Sequence, residues 1–313
     1  MKVLVTGGAG FIGSNLVELL LSKSHEVTII DDLSTGKYNN IINVLNKAKF
    51  YLQDIRSLNI RTIFELEKPD VVIHLAAQVS VITSVEDPLL DEEINLKGIV
   101  NLLVNCVKNK VKKFIFISTG GAIYVDASQI PTNELYIPDV ISPYALTKHT
   151  SEAYLKVFKK IHGLEYSILR LANVYGPRQV PKGECGVIPI YFEKCLYNED
   201  AVLFVYADMP KGTTRDYVYV DDVCDAINRC ILDGSGEIFN VGTGIETYTK
   251  DVFEKIKKLT NSNNEILLKD AHPGDVRRGI LDCNNAKNLL DWEPKINFDI
   301  GLKLTYEWIK NAN

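Results

Sequence analysis

Ser142-Pro143-Tyr144-Ala145-Leu146-Thr147-Lys148 places a phenol and an ammonium four residues apart. Ser142 is a good helix-capping residue and Pro143 suits a first helical position, so a helix should start here. On that helix Tyr144 and Lys148 lie on one face, one turn apart. An ammonium near a phenol favours the phenolate and lowers a pKa that is normally about 10. Tyr144 would then serve as a proton acceptor near neutral pH. The same pair also occurs by chance on solvated helices, so the chemistry depends on what the rest of the chain sets beside it.

A second group of residues suited to chemistry is Gly7-Gly8-Ala9-Gly10-Phe11-Ile12-Gly13. It follows a short apolar strand, 2–6, and leads into the helical stripe Ile12, Leu16, Val17, Leu19 and Leu20. Strand, glycine turn and helix make the setting of a phosphate-binding turn. Gly7 permits the turn, Gly10 lets backbone approach a pyrophosphate, and Gly13 lets helix and sheet pack closely. The helix N-terminus offers N–H groups and positive potential to the phosphates. A strand over 26–30 then ends in Asp31, at the distance from the glycines where a ribose diol is held. Its carboxylate would repel a 2′-phosphate, which points to NAD rather than NADP; a helix cap or loop carboxylate is the bland reading.

The elements that must position these groups alternate. Strands are expected at 50–52, 71–75, 114–117 and 166–171, with helices at 57–67, at 94–108 and from Ser142 to about position 161. Asp54-Ile55 follows the third strand, in position to meet an adenine, and Ala76-Ala77-Gln78 offers backbone at the end of the fourth. Strands separated by helices of this length imply an α/β, doubly wound parallel sheet. The helix 94–108 is apolar almost all round, so one side should face the sheet and the other a neighbour. After Gly176-Pro177 the chain becomes loop-rich. A helix at 188–197, strands at 202–206, 217–220, 237–241 and 265–268, an Asp221-Asp222 cap, a Thr249 cap and two final helices are expected there. Residues 1–175 thus read as a nucleotide-binding domain to which about 215–245 returns, and 176–313 mainly as a smaller mixed α/β substrate domain.

The 313 residues suffice for a large core, and 46% hydrophobic with 24% charged residues is ordinary for a soluble protein. A net charge of −5, with Lys and Arg scattered, argues against a nucleic-acid or anionic-membrane partner. No apolar run approaches the length of about eighteen residues that spans a bilayer. The start runs straight into a strand without the pattern of a signal peptide. The six cysteines show no paired CxxC spacing and the five histidines are dispersed, so a metal is not expected and free thiols in a cytoplasmic setting are.

Taken in order, these motifs resemble those of extended short-chain dehydrogenase/reductases, and among them nucleotide-sugar 4-epimerases of the UDP-glucose 4-epimerase type. The matching residues are Gly7 to Gly13, Asp31-Asp32-Leu33-Ser34-Thr35-Gly36, Asp54-Ile55, His74-Leu75-Ala76-Ala77-Gln78 and Asn95. They continue with Ser118-Thr119, the Tyr144/Lys148 pair, Asn173-Val174-Tyr175-Gly176-Pro177-Arg178, Arg215-Asp216-Tyr217, Asn240-Val241-Gly242-Thr243-Gly244 and Pro273-Gly274-Asp275-Val276. The resemblance implies a Rossmann-type sheet and an NAD site drawn from Gly7, Gly10, Phe11, Ile12, 31–36, Asp54, Ile55, 75–78, Asn95, Ser118, Tyr144 and Lys148. It implies sugar-nucleotide contacts from Asn173, Val187, Arg215, Asp275 and Arg278, and a homodimer built on helix 94–108 and the Tyr144 helix (Tyr154, Val157, Phe158, Ile161). The implied reaction oxidises the 4-hydroxyl of a UDP-hexose, with Tyr144 taking the proton and NAD⁺ the hydride. The 4-ketose then turns and is reduced on its other face. Lys148 lowers the Tyr144 pKa and binds the nicotinamide ribose. Otherwise Arg215 beside Asp216 would be a surface ion pair and Asn173 a turn residue.

The chain departs from that pattern in three places. The hydroxyl expected four positions before Tyr124 is replaced by Gly120, so Thr119 or a water is expected to share the 4-hydroxyl proton. The loop 207–214 is longer than the usual turn. His272 stands where an arginine is usual, with Arg277 or Arg278 as candidates to compensate. Gly279 falls where some relatives carry a bulky tyrosine, which suggests room for N-acetylhexosamines. A 4,6-dehydratase or decarboxylase of the same fold would need acidic groups where Gly121 and Ala122 stand. A reductase using NADPH is opposed by Asp31, and a non-catalytic NAD-binding regulator by the retained Tyr144/Lys148 pair.

Overall fold

The computed structural model describes residues 1–125, 127–181, 186–271 and 276–312. In chain order the first half runs β1 (Lys2–Thr6), α1 (Phe11–Ser22), β2 (Glu26–Asp31), β3 (Lys49–Leu52), α2 (Ile60–Glu67), β4 (Val71–His74), α3 (Val81–Glu86), α4 (Pro88–Glu92), a π-helical turn (Glu93–Lys97), α5 (Gly98–Lys108), β5 (Lys113–Thr119), α6 (Gly120–Ile123), α7 (Pro143–His162) and β6 (Glu165–Leu171). The second half runs β7 (Asn173–Tyr175), α8 (Val187–Tyr197), β8 (Ala201–Val205), β9 (Thr214–Arg215), β10 (Tyr217–Tyr219), α9 (Val220–Arg229), β11 (Glu237–Val241), β12 (Thr247–Tyr248), α10 (Thr249–Thr260), β13 (Ile266–Asp270), β14 (Arg278–Gly279), α11 (Asn284–Leu290) and α12 (Phe298–Ala312).

Seven strands form one sheet in the order β11-β6-β5-β4-β1-β2-β3, every pair parallel. Their inner residues are buried on both faces, as a parallel sheet between helices requires. Alternation along β1 sends Val3 and Val5 to one core with Leu16, Val17 and Leu20 of α1 and Val223, Ala226 and Ile227 of α9. Leu4 goes to the other core, with Phe64 of α2, Leu102 and Leu103 of α5 and Leu155 of α7. The strand order reverses between β1 and β4, and a crevice opens there at the carboxyl ends of the strands. Smaller sheets, β10-β7, β12-β9-β14 and β13-β8, flank it. No helix among the described residues is long and apolar enough to cross a membrane.

α7 starts as its sequence requires. The Ser142 hydroxyl accepts from the Ala145 N–H at 3.2 Å, Pro143 follows, and Gly163 ends the helix in the left-handed region at φ 70°. Other boundaries differ from expectation. The segment 57–59 is a turn rather than helix, because the Ser57 hydroxyl accepts from the Asn59 N–H at 3.2 Å. Helix 94–108 does not run unbroken: it opens in a π-helical turn that aims Asn95 inward. Asp221 and Asp222 lie in the first turn of α9 without capping it, and Asp222 instead accepts from Lys295 and Ile296 N–H groups at 3.0 Å each. Thr249 is likewise no cap, its hydroxyl donating to the Thr213 carbonyl at 2.8 Å.

Candidate active site

A cavity of about 830 Å³ lies over the crevice. One end is lined by Gly7, Gly10, Phe11, Ile12, Asp31, Asp32, Ser34, Thr35, Asp54 and Ile55, and the middle by 75–78, Ser118, Thr119, Tyr144 and Lys148. The other end is lined by Asn173, Val187 and Arg215. Groups spread over more than two hundred residues of chain therefore face one space. Gly7 sits at φ 70°, and a Cβ there would lie 2.6 Å from the Ala76 nitrogen; at Gly13 it would lie 2.1 Å from the Gly7 carbonyl oxygen. Any side chain would break this turn. Among the described residues no side chain caps α1, so its N-terminal N–H groups are open to an anion.

Asp31 ends β2 with its carboxylate accepting from the Ala9 and Leu33 N–H groups, both at 2.9 Å. Burial raises its pKa and these two bonds oppose that. Leu33, at φ 59°, and Gly36, packed against the Asp31 carboxylate, shape this loop without lining the cavity. Asp54 is gripped by the Arg56 guanidinium at 2.7–3.1 Å, which holds its carboxyl below the usual range. Asn95 is the clearest correction on this side. It does not line the cavity but exchanges bonds of 2.9 Å with the Gln78 backbone N–H and carbonyl. The Gln78 side chain is tied down as well, to Ser80 and Asp91.

Tyr144 and Lys148 are buried at the cavity wall, their side chains under ten per cent exposed as residues go (9% and 5%). The Lys148 ammonium donates to the Ile117 carbonyl at 2.9 Å and sits 4.8 Å above the Phe116 ring. Burial lowers its pKa to about 8, opposed by the Asp91 and Glu152 carboxylates. Behind it, Glu152 accepts from Arg170 at 2.9 and 2.5 Å and from Ser118 at 2.6 Å, and Arg170 also donates to Tyr124. That pairing holds the Glu152 carboxyl down at about 2 despite burial. Ser118 thus spends its hydroxyl on Glu152. The Thr119 hydroxyl accepts from the Ala122 N–H at 3.2 Å and lines the cavity. Position 120 faces Leu281, whose side chain comes within 2.8 Å of where a Cβ would be. Beside it a void of about 10 Å³, the size of one water, is lined by Gly120, Gly121, Asn173, Arg215 and Gly279.

At the far end, Arg215 is held on β9 opposite Gly279 of β14 and donates to the Thr214 carbonyl at 2.8 Å. Its neighbour Asp216 is buried and accepts from the Thr243 N–H, the Thr243 hydroxyl and the Gly244 N–H at 2.6–3.0 Å. Asn240 donates to the Thr132 and Asp282 carbonyls, so the segment 240–244 is framework. Arg278 does not line the cavity: Glu246 binds it in two bonds of 2.7 and 2.8 Å. Arg277 pairs with Asp208 and lies 4.1 Å over the Tyr206 ring. His272 and Asp275 fall outside the described residues. The loop 207–214 folds on itself, Met209 and Gly212 N–H groups bonding back to the Tyr206 and Met209 carbonyls. Arg178, in the left-handed region at φ 73° and paired with Glu18, also lines the cavity; nothing in its local sequence marks the ion pair.

The family model described as "NAD dependent epimerase/dehydratase family" matches residues 3–242. The chain belongs to the NAD-dependent epimerase/dehydratase family. It is 39% identical over 316 residues to the UDP-glucose 4-epimerase of Mycolicibacterium smegmatis, covering 100% of both chains. Among solved structures it is similar to the UDP-glucose 4-epimerase of Thermotoga maritima with UDP-glucose, at 44% identity and a TM-score of 0.95, over 100% of this chain and 99% of that one. The Thermus thermophilus UDP-glucose 4-epimerase complex with NAD matches at 40% identity and a TM-score of 0.93, over 100% of both. As in this epimerase/dehydratase family, the cofactor is NAD. The residues present suit it: a glycine turn with no room for side chains, an uncapped helix N-terminus and Asp31 at the end of β2.

Proposed function

We propose that the chain interconverts UDP-hexoses by epimerisation at C4, UDP-glucose and UDP-galactose first among them. The observation that carries this is the Tyr144/Lys148 pair facing the same cavity that begins at the glycine turn and ends at Arg215. The glycine turn, the α1 N-terminus and Asp31 would hold NAD, whose chemistry there would be that of a reversible hydride acceptor for C4. Tyr144 accepts the 4-hydroxyl proton and later gives it back. Lys148 favours the Tyr144 phenolate, and Thr119 supplies the neighbouring hydroxyl. Arg215 and Asn173 hold the diphosphate and sugar end, a guanidinium fork suiting phosphate oxygens.

Gly279 supports a wider sugar range. A Cβ there would meet nothing closer than Arg215 Cδ at 3.7 Å, and the absence of a bulky side chain at this position is what supports N-acetylhexosamines as further substrates. A dehydratase or decarboxylase reading lacks acidic groups at Gly121 and Ala122, which line the cavity. A homodimer is supported by exposed Val104 on α5 and exposed Tyr154, Val157 and Ile161 on α7; light scattering of a monomer would refute it. The reaction is tested by incubating the purified protein with UDP- and dTDP-sugars and reading products by NMR. Interconversion of UDP-galactose and UDP-glucose is expected, and a panel left unchanged would end the reading.

A further inference from the structure

Asp91 is fully buried, yet among the described residues the three donors to its carboxylate are neutral. Oδ1 accepts from Gln78 Nε2 at 2.8 Å and Asn95 Nδ2 at 3.0 Å, and Oδ2 accepts from the Thr147 hydroxyl at 2.7 Å. These donors come from the loop after β4, from the π-helical turn and from the residue that precedes Lys148 on α7. A desolvated carboxylate is expensive unless an opposite charge is near. An asparagine would hold Gln78 and Asn95 through the same oxygen, so satisfying those donors does not explain why the charge is kept.

The charges around Lys148 supply the reason. On its own helix lie Tyr144 and Glu152, the latter with His149 beside it at 3.7 Å. β6 contributes Arg170, which pairs with Glu152 and cancels most of its field. β4 contributes His74, buried, bonded to the Thr6 hydroxyl at 2.7 Å and held neutral by a pKa near 3. β5 offers the Ile117 carbonyl and the Phe116 ring. Of the two carboxylates that oppose the lowering of the Lys148 pKa, Asp91 is the one whose hydrogen-bond donors among the described residues are neutral.

We propose that Asp91 is a positioning residue for the Tyr144/Lys148 pair: a buried anion that pins Gln78 and Thr147 and serves as the counter-charge of the Lys148 ammonium. The proposal rests on the epimerase reading for its kinetic readout but not for its spectroscopic one. Asp91→Asn in the full chain removes the charge with little change of shape. Thr147 can turn to accept from the new amide, since its hydroxyl already has a second acceptor in the Tyr144 carbonyl at 3.1 Å. NAD content is expected to stay at the unaltered level. Taking away an anion makes the pair lose both of its protons more readily, so both limbs of the kcat/KM profile for UDP-galactose should move to lower pH by about one unit. The phenolate absorbance of Tyr144, read as the difference from the same protein with Tyr144→Phe, should move the same way with no turnover required. Asp91→Ala, which also frees Gln78 and Thr147, should lose NAD, and Asp91→Asn should restore NAD but not the pH profile. Unmoved limbs and an unmoved absorbance midpoint in Asp91→Asn would overturn the proposal, as would NAD loss equal to that of Asp91→Ala. No turnover in the unaltered protein, together with a shifted midpoint in Asp91→Asn, would remove the epimerase reading and leave Asp91 in its role.

Discussion

At the β1 end of the cavity the lining starts from a glycine turn whose backbone must be approached closely, while at the Arg215 end the side chains of Asn173 on β7 and Arg215 on β9 meet beside the glycines of α6 and β14. The first end is made by excluding atoms, since a Cβ at Gly7 or Gly13 meets backbone within 3 Å. The second is made by adding them. Damage to the two should therefore differ in kind: the first should lose cofactor outright, the second should lose affinity for a sugar nucleotide while keeping the cofactor.

Gly7→Ala gives the largest expected effect. Its Cβ collides with the Ala76 nitrogen at 2.6 Å in a left-handed conformation, so the purified variant should contain no NAD and show no turnover. Ultraviolet spectra of the denatured supernatant check this; a variant with full NAD would contradict the exclusion account. Tyr144→Phe comes next and lies between the two ends. Its kcat should fall by about a thousandfold with NAD content unchanged. Arg215→Ala should raise KM for UDP-galactose by about a hundredfold, again with NAD retained, because a charge-assisted contact to the diphosphate is lost. An Arg215→Ala variant with normal KM would place the diphosphate elsewhere.

The smallest effect concerns stability rather than catalysis. His74 is wholly buried and takes a proton only near pH 3, whereas in the unfolded chain it does so near pH 6.5. Between those values the unfolded state binds the extra proton, so stability falls as pH drops below 6.5, by about 2 kcal/mol at pH 5. Urea melts of His74→Asn should show less of this slope between pH 6.5 and 5, whatever its overall stability. A parallel slope would assign the acid sensitivity to other groups.

Legibility in the sequence followed the same division. The glycine turn, Asp31 and the Tyr144/Lys148 helix could be read because their meaning depends on neighbours within a turn or a single strand–helix unit. The alternation of strands and helices gave the parallel sheet for the same reason. What could not be read was set by distant partners. Arg278 has the sequence position of a diphosphate ligand, and Glu246, thirty-two residues away, binds it instead. Asn95 has the sequence position of a cofactor contact, and the π-helical turn makes it a clamp on the Gln78 backbone. Asp91 in Pro88-Leu89-Leu90-Asp91-Glu92 reads as one more acid on a solvated turn, since Gln78 and Thr147 reach it only in the folded chain. Asp222 has the sequence setting of a helix cap, and in the fold it serves the segment before α12 instead.

On this chemistry, one cavity oxidises and re-reduces the same sugar carbon. The direct measurement is the fate of deuterium placed at C4 of UDP-galactose and incubated with the purified protein. UDP-glucose that still carries the label at C4 is the expected product. Label lost to water, or a product that has shed its 6-hydroxyl as water, would contradict it.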